Sequence, residues 1–313
     1  MRRTTLVLST VAVAALALAG CGDAKESSSG SGSSGGSGGS GASSSADTVC
    51  STTDAKDDLL AQICDKGVLT VSTDPAYPPQ SKYVPKEDKY EGFDIDVATE
   101  IAHRLGVDIG WETPSWDVIT AGSWNGRWDA SVGSMTPTND RQKVLNFSQP
   151  YYYTPAVVVV NKDNTSVQDI STDLDGKTVG VCSGCTYDQF LTKTLDIKGF
   201  KFDFVIDDAT VKGYDTDTTA LQDLALGDGT RLDAVITSQT TAQGYIDEGN
   251  PVKIVGDPVF YEPLAVATDK SSDLDGASLA AAIDQIVGDM HDDGTLTDMS
   301  KKWYDGLDLS VQQ

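Results

Sequence analysis

The stretch Gly133-Ser134-Met135-Thr136-Pro137-Thr138-Asn139-Asp140-Arg141 constrains this chain more than any other. It leaves a strand-like run, Asp129-Ala130-Ser131-Val132, and reaches Arg141 three residues after Thr138, which is suited to N-cap a new turn. Its small residues let a ligand approach the backbone, and Thr136 offers a hydroxyl. Arg141 offers a planar fork of five donors, the shape that grips a carboxylate with two parallel hydrogen bonds. Taken alone, the turn reads equally well as a surface loop with a solvated arginine.

Strand-like and helical runs alternate on both sides of it. Val68 to Thr73 reads as a strand behind Gly67, followed by Asp74-Pro75-Ala76-Tyr77-Pro78-Pro79. The prolines stiffen that loop and hold Tyr77 at the strand's C-terminal end, where open α/β sheets bind ligands. Ile95, Ala98, Ile101, Ala102 and Leu105 recur at helical spacing, with Asp94 or Asp96 suited to the first turn. Val107 to Glu112 reads as a strand, and Trp116 opens a helix that Ser115 can cap. Strands are expected at 156–161, 177–181, 252–255 and 264–268, with another entered by the run 229–236, and helices at 216–226, 278–291 and 295–304. The turn Cys182-Ser183-Gly184-Cys185-Thr186 feeds a helix from about Tyr187, and a helix start of this kind aims free N–H groups outward as an anion site.

The chain's first residues are a targeting signal. Arg2-Arg3 precedes an apolar run, Leu6 to Ala19, too short to span a bilayer as a mature helix. It ends Leu18-Ala19-Gly20-Cys21, which resembles a bacterial lipobox; cleavage would leave residues 1–20 behind and a lipid on Cys21. An ordinary signal peptide with an incidental cysteine is the other reading. Residues 21–48 are expected to be a flexible tether, since from Gly22 to about Ala46 the chain is mostly Ser and Gly, a composition that buries nothing.

Asp and Glu number 47 against 23 Lys and Arg, a formal charge of −24. Removing Arg2 and Arg3 with the signal leaves −26. Such a surface repels phosphate backbones and excludes nucleic acid as a partner. His103 and His291 are too few for a metal site, so neither metal nor cofactor is expected. Export implies an oxidising setting for the remaining cysteines. Proximity pairs Cys50 with Cys64, and Cys182 with Cys185, in disulfides. Free thiols for the first pair, and a thioredoxin-like redox motif for the second, are the alternatives.

The run from Gly133 continues through Lys143-Val144-Leu145-Asn146-Phe147-Ser148-Gln149-Pro150-Tyr151, and as a whole resembles the signature of the family 3 solute-binding proteins. These are polar-amino-acid receptors of ABC importers. Gly92-Phe93-Asp94-Ile95-Asp96, Gly229 to Ala234, Asp293-Gly294-Thr295 and Lys302-Trp303 match further elements of that family. The resemblance covers about residues 64–305. It implies an α/β fold of the periplasmic-binding-protein-like type II class, with two α/β lobes joined by two hinge strands. Lobe one would take 49–155 and 263–313, and lobe two 156–262. The hinges would be Tyr151-Tyr152-Tyr153-Thr154-Pro155 and Phe260-Tyr261-Glu262-Pro263.

The resemblance also implies a ligand set. Thr136 and Arg141, with Gly133 and Ser134 around them, would hold a ligand carboxylate. Gly184, Cys185 and Thr186 would clamp it from lobe two, while Asp74, Tyr77 and a stacking Trp116 would face the rest of the ligand. Two departures stand out. Trp124-Asn125-Gly126-Arg127 replaces a usual Leu-x-x-Gly-Lys, and Ser238 stands where typical receptors carry the aspartate that pairs with an α-ammonium. The implied protein is a monomer on the outer face of the cell membrane, lipid-anchored, handing a small carboxylate-bearing ligand to a permease with its ATPase. Two alternatives remain at this point. One is a sensory lipoprotein that reports its ligand to a partner, and the other is a cyclohexadienyl-dehydratase-like enzyme on the same scaffold.

Overall fold

Short runs rich in aromatic and β-branched residues build the strands, and helices separate many of them along the chain. The computed structural model describes residues 47–312. The signal of residues 1–20, Cys21 and the tether up to residue 46 lie outside the described residues. The strands are β1 (Val68–Ser72), β2 (Ala76–Tyr77), β3 (Ser81–Val84), β4 (Lys89–Glu91), β5 (Asp108–Glu112), β6 (Ala130–Met135) and β7 (Leu145–Asn161), then β8 (Thr178–Cys182), β9 (Thr210–Tyr214), β10 (Ala234–Ser238) and β11 (Val252–Asp269). The helices are α1 (Val49–Thr52), α2 (Leu59–Lys66), α3 (Phe93–Leu105), α4 (Trp116–Thr120) and α5 (Arg141–Val144), then α6 (Thr186–Leu191), α7 (Asp217–Ala225), α8 (Gln239–Asp247), α9 (Ala277–Asp292) and α10 (Thr295–Trp303).

Eight strands form one mixed sheet in the order β5-β1-β6-β11-β7-β10-β8-β9. The parallel pairs β1–β5 and β8–β9 lie toward its two ends, and the antiparallel pair β7–β11 runs through its middle. Sequence reading expects separate strands at 156–161, 252–255 and 264–268. The structure instead runs 17 residues continuously through β7 and 18 through β11. The reason is composition: Tyr151-Tyr152-Tyr153 and Val157 to Val160 are extended-chain formers that leave no place for a turn. The ladder accommodates its bend by register shifts at Val255/Phe260, Leu264/Ala265 and Ala265/Ala267.

Two lobes follow from where the apolar side chains gather. One core joins Leu59, Ile63, Leu69, Val71, Phe93, Ile101 and Leu105 to Leu264, Ile283, Val287, Met290 and Leu309. The other lobe holds two clusters on opposite faces of its strands. Val158, Val160, Val179, Phe190, Ile236 and Phe260 form one, and Val157, Val159, Leu221, Leu224 and Val235 the other. β7 and β11 are the strands that pass between the lobes.

Local signals place the helices. Asp58 accepts the Ala61 N–H at 2.8 Å to start α2, and Gly67, at φ +69°, ends it. Cys50 and Cys64 are joined, tying α1 to α2 across 14 residues. A loop of that length is worth about 3 kcal/mol in the chain-entropy model. Trp124 and Trp128 form a separate buried cluster with Ile119, Met135 and Leu145, so they pack rather than bind. His103 lies exposed on α3. No helix among the described residues is long and apolar enough to cross a membrane.

Candidate functional site

The stretch Gly133 to Arg141 straddles the end of β6 and the start of α5. Sequence reading ends the strand at Val132, but the structure carries it to Met135. Thr138 Oγ1 accepts the Arg141 N–H at 3.3 Å, but the residue at the N-cap of α5 is Asp140, so Thr138 braces the turn without being the cap that the sequence suggests. Ser134 holds a left-handed backbone at φ +53°, a conformation that non-glycine residues rarely keep without support. The Ser134 N–H donates to Tyr151 Oη at 3.0 Å, and its hydroxyl donates to Asp94 Oδ2 at 2.8 Å. Tyr151 in turn donates to Asp94 Oδ1 at 2.7 Å. Burial pushes the Asp94 carboxyl up to about 7, against the pull of these two bonds.

Arg141 is 5 % exposed and reaches across the cleft. Nη1 donates to the Thr136 carbonyl at 3.0 Å, within its own lobe, and Nη2 donates to the Gly184 carbonyl of the other lobe at 3.1 Å. Its guanidinium carbon sits 4.9 Å from the Trp116 ring centroid, a cation–π distance. Burial lowers its pKa to about 10, opposed by the charge of Glu262, so it stays protonated at neutral pH.

Glu262 has no role in the sequence reading beyond its place in the return hinge. It is 2 % exposed, and one oxygen accepts from Thr136 Oγ1 at 2.6 Å and from Thr186 Oγ1 at 2.7 Å. Burial holds its carboxyl above the ordinary range, while these hydroxyls, Tyr187 and the Arg141 charge pull it down. Further bonds draw the lobes together. Asn139 Nδ2 donates to Asp196 Oδ2 at 2.6 Å, and Thr218 Oγ1 to the Ala76 carbonyl at 2.7 Å. The cleft is therefore closed.

The cleft leaves about 500 Å³ of space between its walls, part of it open to solvent. Asp74, Tyr77, Trp116, Gly133, Ser134 and Thr136 line it, together with Arg141, Cys185 and Thr186. Gly184 takes part through its carbonyl. Here the structure departs from expectation: the Gly184 N–H donates to Asp188 Oδ2 at 2.9 Å, and the Cys185 N–H to the Cys182 carbonyl. Asp188 sits one turn into α6 and draws the amide away, so the Gly184 and Cys185 N–H groups do not face the cleft. Cys182 and Cys185 are bonded to each other.

Ser238 does not line the cavity. It is fully buried, accepts from Tyr77 Oη at 3.0 Å and Gln80 Nε2 at 3.3 Å, and caps α8 through the Thr241 N–H. The lining residues that sequence reading does not name as ligand contacts are Cys182, Tyr187, Asp215, Thr216, Asp217 and Glu262. Asp217 is 5 % exposed, and burial raises its carboxyl to about 7. An acid just after Thr216, itself the N-cap of α7, reads locally as a favourable dipole partner and conceals any other role.

Residues 69–306 match the model of the bacterial extracellular solute-binding proteins, family 3. The L-cystine-binding protein TcyJ of Escherichia coli K12 is 29 % identical over 257 residues, covering 82 % of this chain and 89 % of its own. The probable amino-acid-binding protein YxeM of Bacillus subtilis is 30 % identical over 253 residues, covering 80 % and 88 %. Among solved structures, a mutant arginine-binding protein of T. maritima superposes with a TM-score of 0.67 at 28 % identity, covering 79 % of this chain and 99 % of that one. An ancestral amino acid-binding protein described as a precursor of cyclohexadienyl dehydratase gives the same TM-score at 29 % identity, covering 78 % and 99 %. With a family match over most of its length and a mixed α/β fold shared with these receptors, the chain belongs to the family 3 bacterial extracellular solute-binding proteins.

Proposed function

We propose that the protein is a lipid-anchored, extracytoplasmic receptor of an ABC importer, binding a polar amino acid between its lobes and delivering it to a permease. The observation that carries this reading is the buried Arg141, which spans the cleft with Trp116 beneath it. A guanidinium in that position exchanges its neutral carbonyl partners for a carboxylate at a gain, because charge-assisted bidentate pairs are the stronger bonds. Thr136 and Thr186 stand beside it as hydroxyl donors from opposite lobes. A ligand that contacts both lobes stabilises the closed form by its differential contacts, and the permease reads that form. On this reading the protein works as a monomer and turns nothing over, and a cyclohexadienyl carboxylate incubated with it stays unchanged.

Native mass spectrometry of the protein as purified tests the reading directly. The expected result is a bound amino acid released by mild denaturation. A bound nucleotide or sugar would overturn it. The anchor has its own test: Cys21→Ser should move the protein from the membrane fraction to the soluble one. Unchanged fractionation would place the anchor elsewhere in the chain.

A further inference from the structure

Four acidic side chains line the cleft against one cation, Arg141. Three of the four are answered locally or by solvent. Asp74 Oδ1 accepts the Ala76 N–H at 2.7 Å. Glu262 accepts from the Thr136 and Thr186 hydroxyls. Asp215 is exposed to water.

Asp217 keeps one oxygen unanswered, with only the Thr237 hydroxyl and its own backbone N–H acting on the carboxylate. It opens α7 on the lobe-two side of the cleft, and its Oδ1 has no hydrogen-bond partner among the described residues. The Thr237 hydroxyl acts on the carboxylate but closes no hydrogen bond of good geometry with it, and is itself unpartnered. The other charges that bear on it, Asp74 and Glu262, are of its own sign. The sulfurs of Cys182 and Cys185 lie within 4.8 Å, but joined as a disulfide they bring no charge. Buried polar groups of native proteins are nearly all paired, so an orphaned carboxylate oxygen in a ligand cavity calls for a partner from outside the chain. The partner that offsets the desolvation of a carboxylate is a cation that also donates hydrogen bonds.

Ser238 cannot fill this role. Its hydroxyl is engaged with Tyr77, Gln80 and the start of α8, outside the cavity.

We propose that Asp217 is the cation-binding group of the cleft, receiving the ammonium of a ligand whose carboxylate lies on Arg141. The cleft then takes amino acids and rejects carboxylates of the same skeleton that lack an amino group. This inference rests on the proposed role of Arg141 as the carboxylate holder. The burial that raises the Asp217 carboxyl to about 7 fits a charge held without its counter-ion.

The test pairs the proteinogenic L-amino acids with the α-hydroxy acids of the same skeletons. Each hydroxy acid keeps the carboxylate and replaces the ammonium with a neutral hydroxyl. Calorimetry at neutral pH on the full mature chain should show at least one amino acid bound about a hundredfold more tightly than its hydroxy partner. Asp217→Asn should erase most of that preference, with the amino acid losing far more affinity than its hydroxy partner. Arg141→Ala should weaken both members of the pair alike. Should the Asn variant fail to fold, Asp217→Ser serves in its place, since a hydroxyl needs less room and carries no charge. A wild type that binds both members equally, or an Asp217 variant that keeps the preference, overturns the proposal while the carboxylate reading stands. A wild type that binds neither member of any pair overturns both.

Discussion

Arg141→Ala should weaken binding of the co-purified ligand by about two to three and a half decades, from a loss of roughly 3–5 kcal/mol at tenfold per 1.4 kcal/mol. The magnitude follows from burial. Arg141 is 5 % exposed, stacked on Trp116 and directed at the carbonyls of Thr136 and Gly184. Its removal leaves a ligand carboxylate with hydroxyls alone, and leaves Glu262 without the positive charge that partly offsets its burial. Arg141→Lys should recover little, because a compact ammonium cannot supply two parallel bonds or lie flat on the indole. Calorimetry with the molecule identified by mass spectrometry decides the matter. Binding by the alanine variant within threefold of wild type would show that the carboxylate sits elsewhere.

Asp94→Ala should lower the unfolding free energy by about 4 kcal/mol, at roughly 1–3 kcal/mol for each buried donor left unpaired. Two donors lose their acceptor: the Ser134 hydroxyl at 2.8 Å and Tyr151 Oη at 2.7 Å. For a domain of this size the melting temperature should fall by about 10 °C. Asp94→Asn is the milder change and carries a pH signature. Burial raises the folded carboxyl from its ordinary 3.8 to about 7, so between those values the folded state binds more protons than the unfolded one. Stability from this group therefore falls as pH rises through that window. The stability of wild type over Asp94→Asn should be greatest below about pH 4 and smallest above pH 7, as read from denaturant melts at the two ends. An advantage that does not change with pH would mean that Asp94 is ionised throughout.

What could be read in the sequence was local. Thr136 and Arg141 sit five residues apart in one strand-to-helix run, so their shared chemistry is visible without knowing the fold. Many strands and helices declared themselves through pattern, as β1 does behind Gly67, whereas β3, β4 and β9 carried no signal strong enough to be named. What stayed hidden depended on distance along the chain. Glu262 meets Thr136 across 126 residues and Thr186 across 76, and nothing around Phe260-Tyr261-Glu262-Pro263 announces either meeting. Ser238 was expected to face the cleft because it stands where the resemblance implies an aspartate that meets the ligand. It also begins α8, a helix with no strong apolar period, and the capping bond to Thr241 turns its hydroxyl inward. Gly184 misled for a similar reason, since Asp188 four residues later claims its N–H.

The passage of β7 and β11 between the lobes has a consequence for the order in which the molecule can form. The buried members of the lobe-two clusters all fall between Ala156 and Phe260, an unbroken stretch of chain, with Trp116 alone packing on from outside it. The cluster of lobe one needs Leu264 to Leu309 as well as Leu59 to Tyr152. Lobe two can therefore assemble as soon as its own stretch is present, whereas lobe one waits for the final segment to return. Loop closure grows only slowly with length, about 0.6 kcal/mol per doubling, so the intervening hundred or so residues cost little at equilibrium. They cost more in rate, because contacts distant in sequence are the slow ones to make. Until the second half of β11 arrives, the strand that carries Gly133 to Met135 has an open edge, and that edge is where a misfolded pairing would begin.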